Sequence, residues 1–348
     1  MANFKKGIVK EITLDRDDYQ ELILTTGEKA FNVPQTTGLL IAGDEVMVNT
    51  TAVDRQLGTG GYHIVSANLS ADNISTRSHG HIMKLRYTGL QVDTGATVED
   101  SPEIGNKTSI EGTPVIVCGL HSQIVPAITY LKQTEPNINI VFCMSDGAAL
   151  PISISKLIHS LKDKQLISNT VTFNHAFGGD YESINIYSAL LVAKYKCNAD
   201  VIVVSMGPGI VGTNTKFDFS GMENNYFLKA VDDLGGAPIY MLRGSLADAR
   251  PRHQVLSHHS KTILEYSNQK VLISMPEAII EKMKEHLPKN KNLEIFPVKI
   301  PKLDDVLQGF PKLSTMGRNY KDDPLIFEYS LASGVLALKL YRALIQSK

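Results

Sequence analysis

The apolar positions of this chain change rhythm near residue 112. Before it they fall in short, evenly spaced stretches at residues 8–13, 21–25, 30–33, 45–49 and 62–67, parted by turn signals such as Thr26-Gly27 and Gly43-Asp44. Five such strands without helical periodicity predict a small β-barrel or sandwich over residues 1–75. Beyond Gly112, apolar strand-length runs at 114–118, 138–144, 171–173, 200–206, 237–242, 270–274 and 293–298 alternate with helical stripes. Those stripes are Ile154, Leu157, Ile158 and Leu161; then Ile184, Tyr187, Leu191 and Tyr195; then Phe227, Ala230, Val231 and Leu234. Ser122, Asp180, Ser220 with Glu223, and Ser274 with Glu277 stand where helix caps belong. A last helix, from Asp323-Pro324 to about Ile345, is apolar nearly all round its middle, which predicts burial in the fold or at a subunit contact. The alternation predicts a doubly wound, mainly parallel sheet with helices on both faces. The expected organisation is the β module, a connecting segment over 76–110, and a Rossmann-like α/β domain over 111–348.

Composition sharpens this by exclusion. With 35 basic and 36 acidic residues, a net charge of -1 and no basic run interleaved with aromatics, no nucleic-acid partner is expected. No apolar run approaches membrane-spanning length, and the first eleven residues lack the apolar core of a secretory leader. Cys118, Cys143 and Cys197 are odd in number and widely spaced, which fits buried thiols in a reducing cytoplasm.

Candidate chemistry follows from topology. In open parallel sheets, ligands bind outside the carboxyl ends of the strands. Those ends carry Gly119-Leu120-His121-Ser122-Gln123, Ser145-Asp146-Gly147, Asn174-His175 with Gly178-Gly179-Asp180, Gly207-Pro208-Gly209, and Arg243-Gly244-Ser245. Each has an ordinary reading as turn, cap or loop residue. Five polar ends in a row point instead to a site, with His121, Asp146, His175 and Asp180 as acid–base or metal-holding groups.

Gly207, Gly209 and Gly212 form a G-x-G-x-x-G directly after a strand, a loop able to approach an anion. As a dinucleotide fingerprint it is weak. The next helix starts late, near Gly221, and the next strand ends in Arg243 rather than in an acid. The densest polar run, residues 243–260, carries Arg243, Arg250 and Arg252, suited to an oxyanion, and His253, His258 and His259, suited to a metal or to proton transfer. A divalent metal shared by His121, Asp146, His175 and these histidines is one version of the site, although no standard zinc spacing occurs. His79-Gly80-His81 is a metal-capable pair with no third ligand nearby in sequence, and Arg318 reads as solvated.

The segments HGHIMKLRYTGLQ (79–91), GLHSQ (119–123), SDGAALP (145–151), HAFGGD (175–180), MGPGIVGT (206–213), RPRHQVLSHHS (250–260) and TMGRNYKDDP (315–324) together resemble a bacterial family of uncharacterised proteins, a domain of unknown function numbered 3866. Ser145 and Asn214 stand where threonine and glycine are expected. The resemblance implies kinship and no reaction. The residues themselves favour an enzyme acting on a small anionic ligand such as a phosphate, nucleotide or carboxylate, and the chain could form a homo-oligomer. A non-catalytic nucleotide-binding or regulatory protein and a structural or assembly protein are the alternatives.

Overall fold

A computed structural model describes residues 1–75, 80–146 and 151–347. His79 of the histidine pair and Gly147 of the Asp146-Gly147 turn therefore lie outside the described residues. The chain divides into two compact units, Met1–Ala96 with Pro151–Lys156, and Thr97–Leu150 with Leu157–Lys348.

The first unit is a closed five-stranded barrel of β1 (Phe4–Asp15), β2 (Gln20–Leu24), β3 (Lys29–Asn32), β4 (Glu45–Asn49) and β5 (His63–Asn68), in the order β1-β2-β3-β5-β4. Its twelve-residue first strand pairs antiparallel with β4 through its first half and with β2 through its second. Register shifts between Val9 and Glu11 and between Ile12 and Leu14 bend it enough to serve both. Inward-facing Val9, Leu22, Leu24, Ala30, Val46, Val48 and Val65 fill the barrel with Leu40. A two-stranded ribbon of β6 (Met83–Lys84) and β7 (Val92–Asp93) follows.

The second unit is built on an eight-stranded sheet in which every pairing is parallel. Its strands are β8 (Pro114–Cys118), β9 (Ile140–Ser145), β10 (Asn169–Thr172), β11 (Tyr181–Glu182), β12 (Val201–Met206), β13 (Ala237–Met241), β14 (Val271–Pro276) and β15 (Leu293–Val298). They lie in the order β11-β10-β9-β12-β8-β13-β14-β15. Strands β8, β9 and β12 are buried along their whole length, as their unbroken, mostly apolar runs require of strands covered on both faces. A short antiparallel ribbon, β16 (Ser314–Thr315) with β17 (Arg318–Asn319), precedes the last helix.

The strand order fixes where a site can form. From β8 the chain crosses towards β9, whereas from β12 it crosses the other way, to β13. Right-handed crossovers in opposite directions put their helices on opposite faces, so the loops after β8 and β12 part and leave a crevice at the carboxyl edge. On one face the helix Val125–Thr134 packs with Leu303–Leu307 and Pro324–Gln346; on the other Ile186–Leu191 packs with Glu223–Asp233. Pro324–Gln346 is buried from Leu325 to Leu338 against β8, β13 and β14, so its apolar girth is explained within the fold.

Several local expectations need correction. Tyr181 opens no helix: Gly178-Gly179 returns the chain so that β11 pairs parallel with β10, and Asn185 caps the helix Ile186–Leu191 through a capping box with Ser188. Asp180 is therefore not a cap. Neither Ser220 nor Ser274 makes a side-chain cap; Ser274 lies inside β14, and Ser220 Oγ accepts from Val211 N–H (3.1 Å). Ser122 donates to Thr315 Oγ1 (2.7 Å) instead of capping.

Candidate functional site

Gly119 and Leu120 lead from β8 into the short 3-10 turn His121–Ile124, which buries His121 at the crevice. Its Nδ1 lies 3.1 Å from the carbonyl of Met206, the last residue of β12. A carbonyl only accepts, so Nδ1 carries the proton and Nε2 the lone pair. Burial pushes the imidazole down to about 4, against the raising effect of that carbonyl, so His121 is neutral near pH 7.

Strand β9 ends in Ser145, whose hydroxyl donates to Glu223 Oε1 (2.7 Å). Glu223 opens the helix Glu223–Asp233, and burial pushes its carboxyl up to about 7, opposed by the Ser145 hydrogen bond and reinforced by the charge of Asp146. Two carboxyl groups thus influence each other near the β9 end, and the value of one lies near neutrality. Glu223 is a functional candidate that the sequence pattern presents only as the fourth residue of a capping box. The contact that gives it this character spans 78 residues.

The β10 end carries two further candidates, and they part from each other. His175 is half-buried and follows Asn174, a residue with φ of 57°; its Nδ1 is buried without a hydrogen-bond partner among the described residues. Asp180 is turned back along the strand. Its Oδ2 accepts from Thr170 N–H (2.8 Å) and Thr170 Oγ1 (2.9 Å), and its Oδ1 from Lys162 (2.5 Å), at the amino-terminal half of β10. The glycine loop after β12 also has local work. Gly207 N–H reaches the Ser145 carbonyl (3.3 Å), Gly209 has φ of 102°, and Gly212 forms a β-bridge with Phe219. A Cβ on Gly212 would stand 2.7 Å from Phe219 Cβ, so glycine there admits the phenylalanine. The intervening loop separates the glycines from the next helix, which removes the helix end that a dinucleotide fingerprint needs.

That phenylalanine belongs to the second group. Its ring stacks on His259 with centroids 3.9 Å apart and 6° between planes. His259 lies in the helix His258–Glu265, capped by Ser257. Backbone bonds lace this helix start to the end of β13: Ser257 N–H donates to the Arg243 carbonyl (2.8 Å), and Arg243 N–H to Ser260 Oγ (2.9 Å). Arg243 Nη1 in turn donates to His259 Nδ1 (2.9 Å). His253 shares a hydrogen bond with Ser257 Oγ (2.8 Å), and His258 Nε2 is buried without a partner among the described residues. Burial, and then the charge of Arg243, pushes His253 down to about 3; His259 is depressed by the same two causes in the same order.

Arg243 is only 6% exposed, and burial lowers its guanidinium to about 10. Among the described residues no carboxylate lies within ion-pair distance of it. The neighbouring arginines differ. Arg250 grips Asp248 with Nε and Nη2, both at 2.9 Å, and Arg318 bridges Asp248 (3.3 Å) and Asp323 (2.9 Å), so Arg318 is no solvated residue. Asp323, fully buried, also accepts from Ser245 Oγ (2.5 Å) and Leu246 N–H (3.0 Å). Arg252 is half-buried and hydrogen-bonds Asn214. Of the expected anion binders, Arg243 alone is buried and unmatched by an acid.

This arrangement lies within the span matched by the family model "Protein of unknown function (DUF3866)", which covers residues 29–334. The chain belongs to that family. No curated protein matches it. The family therefore adds kinship, and any chemistry must come from the site.

The ligand nitrogens of His253, His258 and His259 lie within 4.8 Å of one another, close enough for a metal by distance. The protons argue otherwise. Because an arginine only donates, His259 Nδ1 must accept, and the neutral ring then carries its proton on Nε2 and keeps no lone pair for a cation. The adjacent guanidinium repels a cation as well. The donor set fits an anion better than a metal.

Among the described residues no helix is long and apolar enough to cross a membrane.

Proposed function

We propose that the protein is an enzyme acting on a small anionic molecule bound at the carboxyl edge of the parallel sheet. The observation that carries this reading is Arg243. A buried guanidinium without a carboxylate is costly, and such a charge is retained where a ligand completes it. Other residues that follow strands of the same sheet have the chemistry that proton transfer needs. Glu223, whose carboxyl keeps its proton up to about pH 7, is the acid, and Asp146, whose charge it feels, is the acceptor, with the neutral His121 at the neighbouring strand end.

Thermal unfolding of the purified chain with inorganic phosphate, adenosine monophosphate and small dicarboxylates tests the binding. At least one class should raise the midpoint, and Arg243→Met should be blind to it. Without ligand that variant should be at least as stable as the wild type, since it loses an unmatched buried charge. A flat response to every class would sink the reading. For a ligand that binds, NMR should show its conversion by wild type and none by Glu223→Gln; a ligand bound but recovered unchanged would make the protein a non-catalytic binder.

A further inference from the structure

We propose that the group held at this edge is a phosphoryl group, taken by Arg243 together with His258 and His259 as nitrogen donors. The proposal rests on the anion-binding reading above and names the class of anion. The comparison that supports it lies within the same loop. Arg250 shows the arrangement that suits a carboxylate, two parallel N–H groups of one fork meeting the two oxygens of Asp248. Arg243 differs in its company: it meets no such carboxylate among the described residues, and its Nη1 donates to His259, which ties the guanidinium to the neighbouring imidazoles.

The tautomer set by Arg243 makes His259 Nε2 a donor, and the stacked Phe219 ring fixes the plane in which it points. His258 contributes a buried Nε2 that has no partner among the described residues, a polar atom whose desolvation a ligand would offset. The two histidines also open a helix whose amino end is favourable to negative charge. Donors spread over three side chains suit a tetrahedral group with three terminal oxygens better than a planar carboxylate with two. Charge agrees. Arg250 and Arg318 are matched by Asp248 and Asp323, while Arg243 is left over for the ligand.

Isothermal titration of the full chain with inorganic phosphate, malonate and zinc chloride tests this, with circular dichroism to establish that each variant is folded. Phosphate should bind at least about tenfold more tightly than malonate, and His258→Ala should weaken it by about tenfold, the worth of one charge-assisted hydrogen bond. Arg243→Lys, which keeps the charge and loses the planar fork, should weaken it at least as much. His258→Asn replaces His258→Ala if the latter does not fold. Malonate binding as tightly as phosphate, with both lost in Arg243→Lys, would overturn the phosphoryl assignment and leave the anion reading standing. Failure of wild type to bind either anion would overturn both. Stoichiometric zinc binding that disappears in His258→Ala would overturn the proposal in favour of a metal centre.

Discussion

The carboxyl group of Glu223 has a measurable consequence for stability. Its ordinary value of 4.5 rises to about 7 in the folded chain, chiefly through burial. Between those values the folded protein holds a proton that the unfolded chain has released, so stability falls as pH rises from about 4.5 to about 7 and is level above that. Glu223→Gln keeps the oxygen that accepts from Ser145 and cannot ionise. The variant should match wild type near pH 4 and exceed it at pH 8.5 by on the order of 2 kcal/mol, allowing for partial solvation. Urea unfolding at the two pH values measures this; parallel stability–pH profiles for the two proteins would contradict the buried acid. The same residue marks the limit of sequence reading at this scale. Arg243, His258 and His259 stand out because charged and imidazole side chains crowd one loop, but nothing local distinguishes Glu223 from a helix-starting glutamate or Arg250 from Arg243. What separates them is which distant group each one meets.

At the scale of elements, the strands were legible because burial on both faces writes continuous apolar runs, rich in Val and Ile in β8 and β12 and mixed in β9. Five barrel strands were legible from their turns. Strand β11 was not, since two residues carry no periodicity and only the Gly178-Gly179 return, with Asp180 and Glu182 bonded back to Thr170 and Thr172, sets it beside β10. Caps failed for a related reason: Ser122 and Ser220 find partners outside their own helices. The last helix can be tested directly. A Cβ on Gly334 would lie 2.8 Å from Ala127 Cα and 2.9 Å from its carbonyl oxygen, so this helix crosses Val125–Thr134 at close backbone approach. Gly334→Ala gains about 1 kcal/mol in helix propensity. The clash is with backbone, which cannot rotate away, and overpacking costs about 1–3 kcal/mol or more. We expect a net loss of about 1 kcal/mol, read from the urea midpoint; a raised midpoint would mean that the two helices can separate at little cost.

At the scale of the whole molecule, every group assigned to the anion belongs to the α/β unit, and the barrel contributes none. The net charge of -1 offers no long-range attraction for an anion, so binding must come from the local excess at Arg243 and not from steering. Ligand that binds only the folded state of one unit stabilises that unit alone. At a hundredfold excess over Kd the gain is about 2.7 kcal/mol, which slows amide exchange through unfolding by about a hundredfold. Hydrogen exchange read by peptide mass spectrometry should therefore show phosphate protecting peptides from β8, β12, β13 and the helix His258–Glu265, while peptides from β1 to β5 exchange as before. Equal slowing in the barrel would have one of two origins. If Arg243→Lys abolishes the effect in both units, they unfold as one cooperative body and the site stands. If barrel protection survives that substitution, the anion is held by the barrel, and the carboxyl edge is not where this protein binds it.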